Sequence, residues 1–488
     1  MSNYNQDNNS DTAFENFYSL SQLFQRQKEC FAQYPYSKYS ERIAILKLLR
    51  KVIVDNRDQI IASINQDFGC RPSFETEALE LLPSIASIDY AIKNLSKYMR
   101  LRRHKTSIWF WPSQSYVFPV PKGVVGIIVP WNYPLFLTIA PLVSAFAAGN
   151  RVMLKLSEHV PATSKLLSDL FTKNFLESKL IVILGDSKIA AEFSALPFDH
   201  LLFTGSTEVG KQVMQSASNN LTPVTLELGG KSPAIFVPND FKQSYVDKIW
   251  LGKIMNAGQT CIAPDYIWLP RGNSESLLTS SQLAVSKKSI DYNSTDYCSI
   301  INKENYDRLL NLIKLAVEKG AQWRPLANNG KNWHSVEKKG EKNIYKISPG
   351  LLLNANHTME IMQQEIFGPV LPVMEYDTIE QLLSIMQIIP RPLAVYLFTN
   401  NKKIQKDFIE KTISGALILN TTIVHAAQED LPFGGIGQSG MGSYRGKYGF
   451  ETFSMLKPVY KQFCLDMFYK IYPPIKLWHK KILKFISS

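Results

Sequence analysis

Val124-Val125-Gly126-Ile127-Ile128-Val129 is an unbroken apolar run that stops on Pro130-Trp131-Asn132-Tyr133-Pro134, a cluster of turn-forming and polar residues. Such a run, with no alternation, is the pattern of a strand buried on both faces, as in a parallel sheet. Working outward, residues 135–148 read as a helix, 151–155 as a second short strand and 162–176 as a second helix. Residues 180–184, 200–203 and 223–228 repeat the strand pattern, with helical segments between them. Strands alternating with helices at this spacing form βαβ units, so the fold class is α/β, with helices on both faces of a parallel sheet. Ligands in such sheets bind beyond the carboxyl ends of the strands.

Three of those strand ends carry polar or glycine residues. Val129 leads into the Pro-Trp-Asn-Tyr-Pro cluster, Leu154 into Lys155-Leu156-Ser157-Glu158, and Phe203 into Thr204-Gly205-Ser206-Thr207-Glu208-Val209-Gly210. The last is a glycine turn opening a helix, whose free N–H groups can receive a phosphate. Four residues separate its glycines, so it departs from the usual dinucleotide fingerprint. A formal GxGxxG match lies at residues 435–440, but no long strand leads into it and no helix follows. It reads as a glycine-rich loop near the active site.

Residues 12–100 have helical spacing in three stretches (17–34, 42–67 and 76–99), with Gly69 and Pro72 separating the second from the third. Residues 107–120 read as an extended arm or hairpin, an apolar ribbon that needs covering by a partner. From Asp240 to Asn420 strand and helix alternate again, a second α/β unit. It contains Asn256-Ala257-Gly258-Gln259-Thr260-Cys261, which sets a cysteine on a glycine-containing turn where backbone N–H groups can favour a thiolate. Residues 322–343 are polar and Lys/Asn-rich and read as a surface loop.

The 488 residues imply two or three structural units of ordinary globular composition, 45% hydrophobic and 20% charged. Five scattered cysteines without a CxxC pair argue against a disulfide framework or a zinc site and for a reducing compartment. No metal is expected. Residues 1–11 are Asn-rich and read as a disordered lead-in, not a signal peptide. The net charge of +12 is spread over helical surfaces, with no basic stripe interleaved with stacking aromatics, so nucleic acid is not the expected partner. The exception is residues 458–488, where six lysines alternate with Phe, Trp, Ile and Leu. This tail either packs on a partner subunit or forms an amphipathic surface for anionic membrane.

Taken together, PWNYP, KLSE, FTGSTEVG, LELGGK, GQTC, EIFGPV and PFGGIGQSGMG, in this order, resemble the aldehyde dehydrogenase superfamily over residues 12–457. AGQTCIAPDY and SGMGSYRGKYGFETFS resemble its class 3 branch. ERIAILKLL and INQDFG are most similar to coniferyl aldehyde dehydrogenases. The resemblance implies a Rossmann-type cofactor domain with N-terminal helices (1–106 and 122–227), an α/β catalytic domain (228–452), and an oligomerisation arm with the tail (107–121 and 453–488). It implies that Cys261 is the nucleophile, Asn132 the oxyanion donor and Glu227 the general base. Lys155 and Glu158 would hold the adenosine ribose, with Gly205, Ser206 and Gly210 beneath the pyrophosphate. Glu365 would bind the nicotinamide ribose beside Phe367, and Tyr133 and Phe433 would line the substrate tunnel, with residues 421–430 at its mouth. A carboxylate at Glu158 favours NAD over NADP, without excluding NADP.

Two departures stand out: Leu156 replaces the common proline, which predicts a looser adenosine-side turn, and Arg445 stands where many class 3 relatives have histidine. The expected protein is a cytoplasmic homodimer that oxidises a hydrophobic or aromatic aldehyde. The alternatives are a fatty aldehyde dehydrogenase peripheral to the inner membrane, a non-redox esterase using the same thiol, and a silent protein with this fold.

Overall fold

The computed structural model describes residues 18–287, 291–327, 332–340, 342–463 and 473–487. The expected lead-in at residues 1–11, Cys464 and Lys470 lie outside them. Two parallel-rich sheets dominate. The first has six strands in the order Gly440–Met441, Val224–Leu228, His200–Gly205, Val124–Ile128, Arg151–Lys155, Leu180–Ile183, all parallel except the two-residue edge strand. Every residue of Val124–Ile128 and Arg151–Lys155 is buried, which is why these strands lack polar alternation. The chain runs outward from Val124–Ile128 through Arg151–Lys155 to Leu180–Ile183. It then returns to place His200–Gly205 on the opposite side of the first strand. That reversal opens a crevice between the two strand ends, the place where open α/β sheets take ligands.

The second sheet has seven strands, ordered Gln322–Pro325, Gly350–Leu353, Val370–Tyr376, Tyr266–Pro270, Pro233–Phe236, Ala394–Phe398, Ala416–Leu419, antiparallel only at the first pair. A third, antiparallel sheet joins Arg102–His104, Gln114–Pro121 and Ser454–Lys461.

Two expectations are corrected. The helix expected over residues 42–67 is two helices, Tyr39–Asp55 and Arg57–Phe68, divided at Asn56, whose side-chain amide donates to the Val52 carbonyl at 2.8 Å. The polar stretch expected as a loop contains the edge strand Gln322–Pro325 and a hairpin, His334–Lys339 with Lys342–Ile347. Its strands are mostly exposed and charged, so pattern reading missed them. Burial of Ile344 and Ile347, and a bridge from Tyr345 to Ile300, hold the hairpin down.

The N-terminal helices supply carboxylates to the cofactor-side helices. Asp67 accepts from the N–H groups of Ala162 (2.9 Å) and Thr163 (2.7 Å) at the start of Pro161–Asn174. Glu80 accepts from Leu135 (2.7 Å) and Phe136 (3.2 Å) at the start of Phe136–Ala148. Each satisfies amides that a helix start leaves unpaired, with a negative charge where the helix dipole favours one. Glu80 is itself fully buried and paired with the fully buried Arg71 at 2.8 Å. Removing one member of such a pair strands the other charge in a dry interior. Glu80→Ala should therefore lower stability by about 3–5 kcal/mol in urea unfolding, whereas Glu77→Ala on the same turn, which breaks only a half-exposed ion pair with Arg57, should change it by less than about 1 kcal/mol.

Candidate active site

Cys261 follows a backbone that turns through three consecutive left-handed residues, Asn256 (φ 52°), Ala257 (φ 49°) and Gly258 (φ 74°). Asn256 and Ala257 pay a steric penalty there, and such strain persists only where the surroundings fix it. The fixing contacts are visible. Glu75 accepts from the Asn256 N–H at 2.5 Å, and the Asn256 side chain donates to the carbonyls of Asn132 (3.0 Å) and Gln259 (3.1 Å). The Gln259 side chain donates to the carbonyls of Asn256 (2.9 Å) and Ser299 (3.0 Å), and accepts from the Ile301 N–H (2.9 Å). A Cβ at Gly258 would lie 2.4 Å from the Gly368 carbonyl oxygen, so only glycine permits this approach.

The loop carrying Asn132 is tied to the same turn. Its carbonyl accepts from Arg71 at 3.1 Å, and its side-chain amide donates to the Gln259 carbonyl at 3.0 Å. An amide NH₂ has two hydrogens, so one remains for a ligand beside Cys261. The next residue, Tyr133, hydrogen-bonds Thr260 through its hydroxyl at 2.7 Å, and its ring lies 4.9 Å from the Arg71 guanidinium.

A cavity of about 790 Å³ opens at the crevice in the first sheet and reaches Cys261. Asn132, Gly205, Ser206, Glu227, Glu365 and Phe367 line it with the thiol, so seven of the sequence-predicted residues converge on one space. Lys155, Glu158, Gly210, Tyr133 and Phe433 are outside that lining. Lys155 and Glu158 form an ion pair at 3.2 Å at the adjacent strand end. Gly210 serves packing: a Cβ there would meet Leu228 at 2.5 Å. Tyr133 and Phe433 are buried, and the Phe433 ring stacks on His425 at 6.1 Å. The looser turn expected at Leu156 is corrected. The Leu156 N–H, which a proline would lack, bonds the Ile183 carbonyl at 3.1 Å, and the Leu156 carbonyl accepts from Lys155 at 2.7 Å.

The cavity suits an elongated phosphate-bearing ligand. Ser206 caps helix Thr207–Ser218, accepting from the Val209 N–H, which leaves other amides of that first turn facing the crevice end. Farther along, Glu365 sits against Gly229, where a Cβ would overlap its carboxylate. The Glu365 segment is clamped by residues that motif reading left without roles. Lys231 pairs with Asp265 and donates to the carbonyls of Ile361 (2.9 Å) and Gln364 (3.1 Å). Asp265 accepts from the Ile366 N–H at 3.0 Å, and Arg308 donates to the Ile366 carbonyl at 2.7 Å. Phe367 (φ 52°) sets its ring 5.5 Å from Trp131, edge to face. Arg71, Glu75 and Glu80 were also missed, because charges spaced along a helix read as a solvated face.

Burial dominates the electrostatics of the site. Burial, then the Glu365 and Glu227 carboxylates, push the Cys261 thiol up to about 12, against the pull of Arg445. Burial raises Glu227 well above the usual carboxylate range, again opposed by Arg445, and neither Glu227 oxygen has a hydrogen-bond partner. Burial and Asp265 raise Glu365 to about 8. A buried carboxyl with no partner is costly in a purely structural role, and clustering of such groups is a mark of catalytic sites.

A thiol, a free amide donor and an unpartnered carboxyl beside a phosphate-suited crevice define a thiol-dependent enzyme of the dinucleotide-binding α/β type. The aldehyde dehydrogenase family model matches residues 18–459, and the chain belongs to that family. It is 43% identical to a probable coniferyl aldehyde dehydrogenase of Pseudomonas aeruginosa, over 93% of each chain. It is 35% identical to the 4,4'-diaponeurosporen-aldehyde dehydrogenase of Staphylococcus aureus, over 96% of this chain and 99% of that one. The substrate-bound structure of Staphylococcus aureus AldH superposes with a TM-score of 0.87 at 32% identity, covering 97% of this chain and all of the other. The protein is thus an NAD(P)-dependent aldehyde dehydrogenase.

Gly258→Ala should disorder the thiol turn without opening the sheets. Labelling of Cys261 by iodoacetamide should then lose its protection by bound NAD(P), while far-ultraviolet circular dichroism stays that of the native protein.

Proposed function

We propose that the protein oxidises hydrophobic or aromatic aldehydes of the coniferyl type to carboxylic acids, with Cys261, Asn132 and Glu227 as its catalytic residues. The observation that carries this is the convergence of those three side chains on one cavity, with both Glu227 oxygens unpartnered. The Cys261 sulfur attacks the aldehyde carbon, and the remaining Asn132 amide hydrogen with the Cys261 N–H stabilises the oxyanion without protonating it. NAD(P), when bound, supplies the hydride acceptor. Glu227 then takes a proton from the water that hydrolyses the thioester, a base role served by a raised pKa.

Ser206 and the start of Thr207–Ser218 would hold the pyrophosphate, and Glu365 the nicotinamide ribose. Lys155 and Glu158 would receive the adenosine ribose, where Glu158 favours NAD by repelling a 2′-phosphate. Residues 1–106 with 122–227 form the cofactor unit, 228–452 the catalytic unit, and 107–121 with 453–488 the arm and tail. Tyr133 and Phe433 would line the substrate tunnel, where aromatic walls would favour an aromatic or polyene aldehyde. The names of the Pseudomonas and Staphylococcus relatives support the same class.

A cytoplasmic homodimer fits the arm, where Ser454–Lys461 is an exposed strand bearing Met455, Val459 and Tyr460. Among the described residues no helix is long and apolar enough to cross a membrane. Helix Leu477–Ser487 carries Lys480, Lys481 and Lys484 with exposed Leu477 and Trp478, which supports peripheral contact with anionic lipid.

Reduced-nicotinamide absorbance with coniferyl aldehyde, benzaldehyde and a long-chain aldehyde, each with NAD and NADP, tests the reading. Coniferyl aldehyde with NAD should rank first, Cys261→Ala should abolish turnover, and Glu227→Gln should give a burst followed by slow release. Burial pushes the Cys261 thiol up to about 12 and disfavours the Glu227 carboxylate, and both groups act deprotonated. kcat/KM should therefore rise with pH and reach no plateau below about pH 9. A folded wild-type protein silent across the panel would sink the proposal. Separately, flotation with phosphatidylserine liposomes should retain the full chain and lose a form cut after Cys464; equal behaviour removes the membrane role.

A further inference from the structure

Arg445 is a buried cation that no anion holds. It follows the edge strand Gly440–Met441, which lies antiparallel to the Glu227 strand with Gly440 opposite Glu227. Its own backbone is in a positive-φ conformation (93°), reached directly after Tyr444, whose N–H and carbonyl both bond Phe433. The side chain is 2% exposed. Three rings hold the guanidinium: its carbon lies 4.5 Å from the Phe433 centroid, 4.8 Å from Phe136 and 5.7 Å from Tyr444. Nε and Nη1 have no hydrogen-bond partner. Rings attract a cation through their negative faces without neutralising it, so the charge still acts on neighbouring buried groups.

The groups around it show what that charge can act on. Glu227, on the paired strand, is equally unpartnered. Of the charged groups acting on Cys261, Glu365 and Glu227 oppose a thiolate and Arg445 favours it. Glu429 and Tyr444 also face Arg445, as does His425, which burial and then Arg445 hold neutral down to about pH 4. His425 therefore brings no competing positive charge at working pH. In a low-dielectric chamber the field of one fixed cation reaches across several ångströms with little screening.

We propose that Arg445 is a positioning residue for the reaction: a ring-held guanidinium supplying the positive field in which Cys261 becomes a thiolate and Glu227 a carboxylate. This rests on the roles proposed above for those two residues. It also gives a use to the one departure, arginine where histidine was expected, that the sequence left without a role.

The test is the pH dependence of iodoacetamide alkylation of Cys261 in the cofactor-free full-length enzyme, followed by mass spectrometry, in wild type, Arg445→Lys, Arg445→His and Arg445→Met. Below its pKa a thiol reacts in proportion to its thiolate fraction. Loss of the charge should therefore slow alkylation about ten-fold at each pH for a pKa rise of about one unit. Arg445→Met should show that loss, and Arg445→His should match it from pH 6 to pH 8, because burial disfavours the imidazolium there as it does at His425. Arg445→Lys should stay near wild type, and the kcat/KM profile of the neutral variants should shift to higher pH. Alkylation rates equal to wild type in a folded Arg445→Met or Arg445→His protein would overturn the proposal. So would equal slowing in Arg445→Lys and Arg445→Met, because that marks lost packing and not lost charge. Because alkylation needs neither aldehyde nor cofactor, its outcome is separate from whether the wild type oxidises any aldehyde.

Discussion

The buried Arg71–Glu80 pair is the contact on which the active site's geometry depends. Glu80 caps the helix that follows the Asn132 loop, and Arg71 holds the Asn132 carbonyl. Glu75, between them in sequence, takes the Asn256 amide of the thiol turn. One short stretch, residues 71–80, thus binds two loops that lie more than a hundred residues apart in the chain. Two buried charges are a poor way to gain stability, since desolvation offsets most of their attraction. What they achieve here is placement: carbonyls and amides that no regular element satisfies are fixed within hydrogen-bond distance, and the strained left-handed run before Cys261 is held.

That placement explains which parts of the molecule the sequence disclosed. Val124–Ile128 and Leu180–Ile183 in the first sheet were legible because the buried sheet leaves them without polar residues, a property each strand carries alone. The site residues were legible as motifs at strand ends, where chemistry and backbone turn coincide. The couplings were not. Nothing local tells that Asn132 will meet Gln259, or that Asp265 and Arg308 will pin Ile366, because each bond joins elements whose own patterns are complete without it. The hairpin at residues 334–347 failed for another reason. It is exposed on most of its surface, so its alternation is of charge and not of hydrophobicity, and two isoleucines anchor it. Leu156 shows the converse error, in which a missing proline was read as lost rigidity when the regained N–H adds a ladder bond.

The chamber's electrostatics follow from the same enclosure. Burial disfavours both the thiolate and the carboxylate, which keeps the resting thiol protonated and chemically quiet. A free thiolate open to solvent would be prone to oxidation, and a permanently ionised base would hydrolyse activated esters at random. Burial keeps both in reserve, with local charge deciding when either is released.

The capping carboxylates carry a consequence for how the chain is made. Asp67 and Glu80 leave the ribosome before the helices at residues 161 and 136 whose first amides they will accept. During synthesis the N-terminal helices therefore exist first as a surface with vacant acceptors. Each later helix can dock its start there as it emerges, without waiting for the distal strands of the second sheet. A fragment ending near residue 230 contains both capping carboxylates, the helix starts they accept from and five of the six strands of the first sheet, and lacks only the edge strand Gly440–Met441.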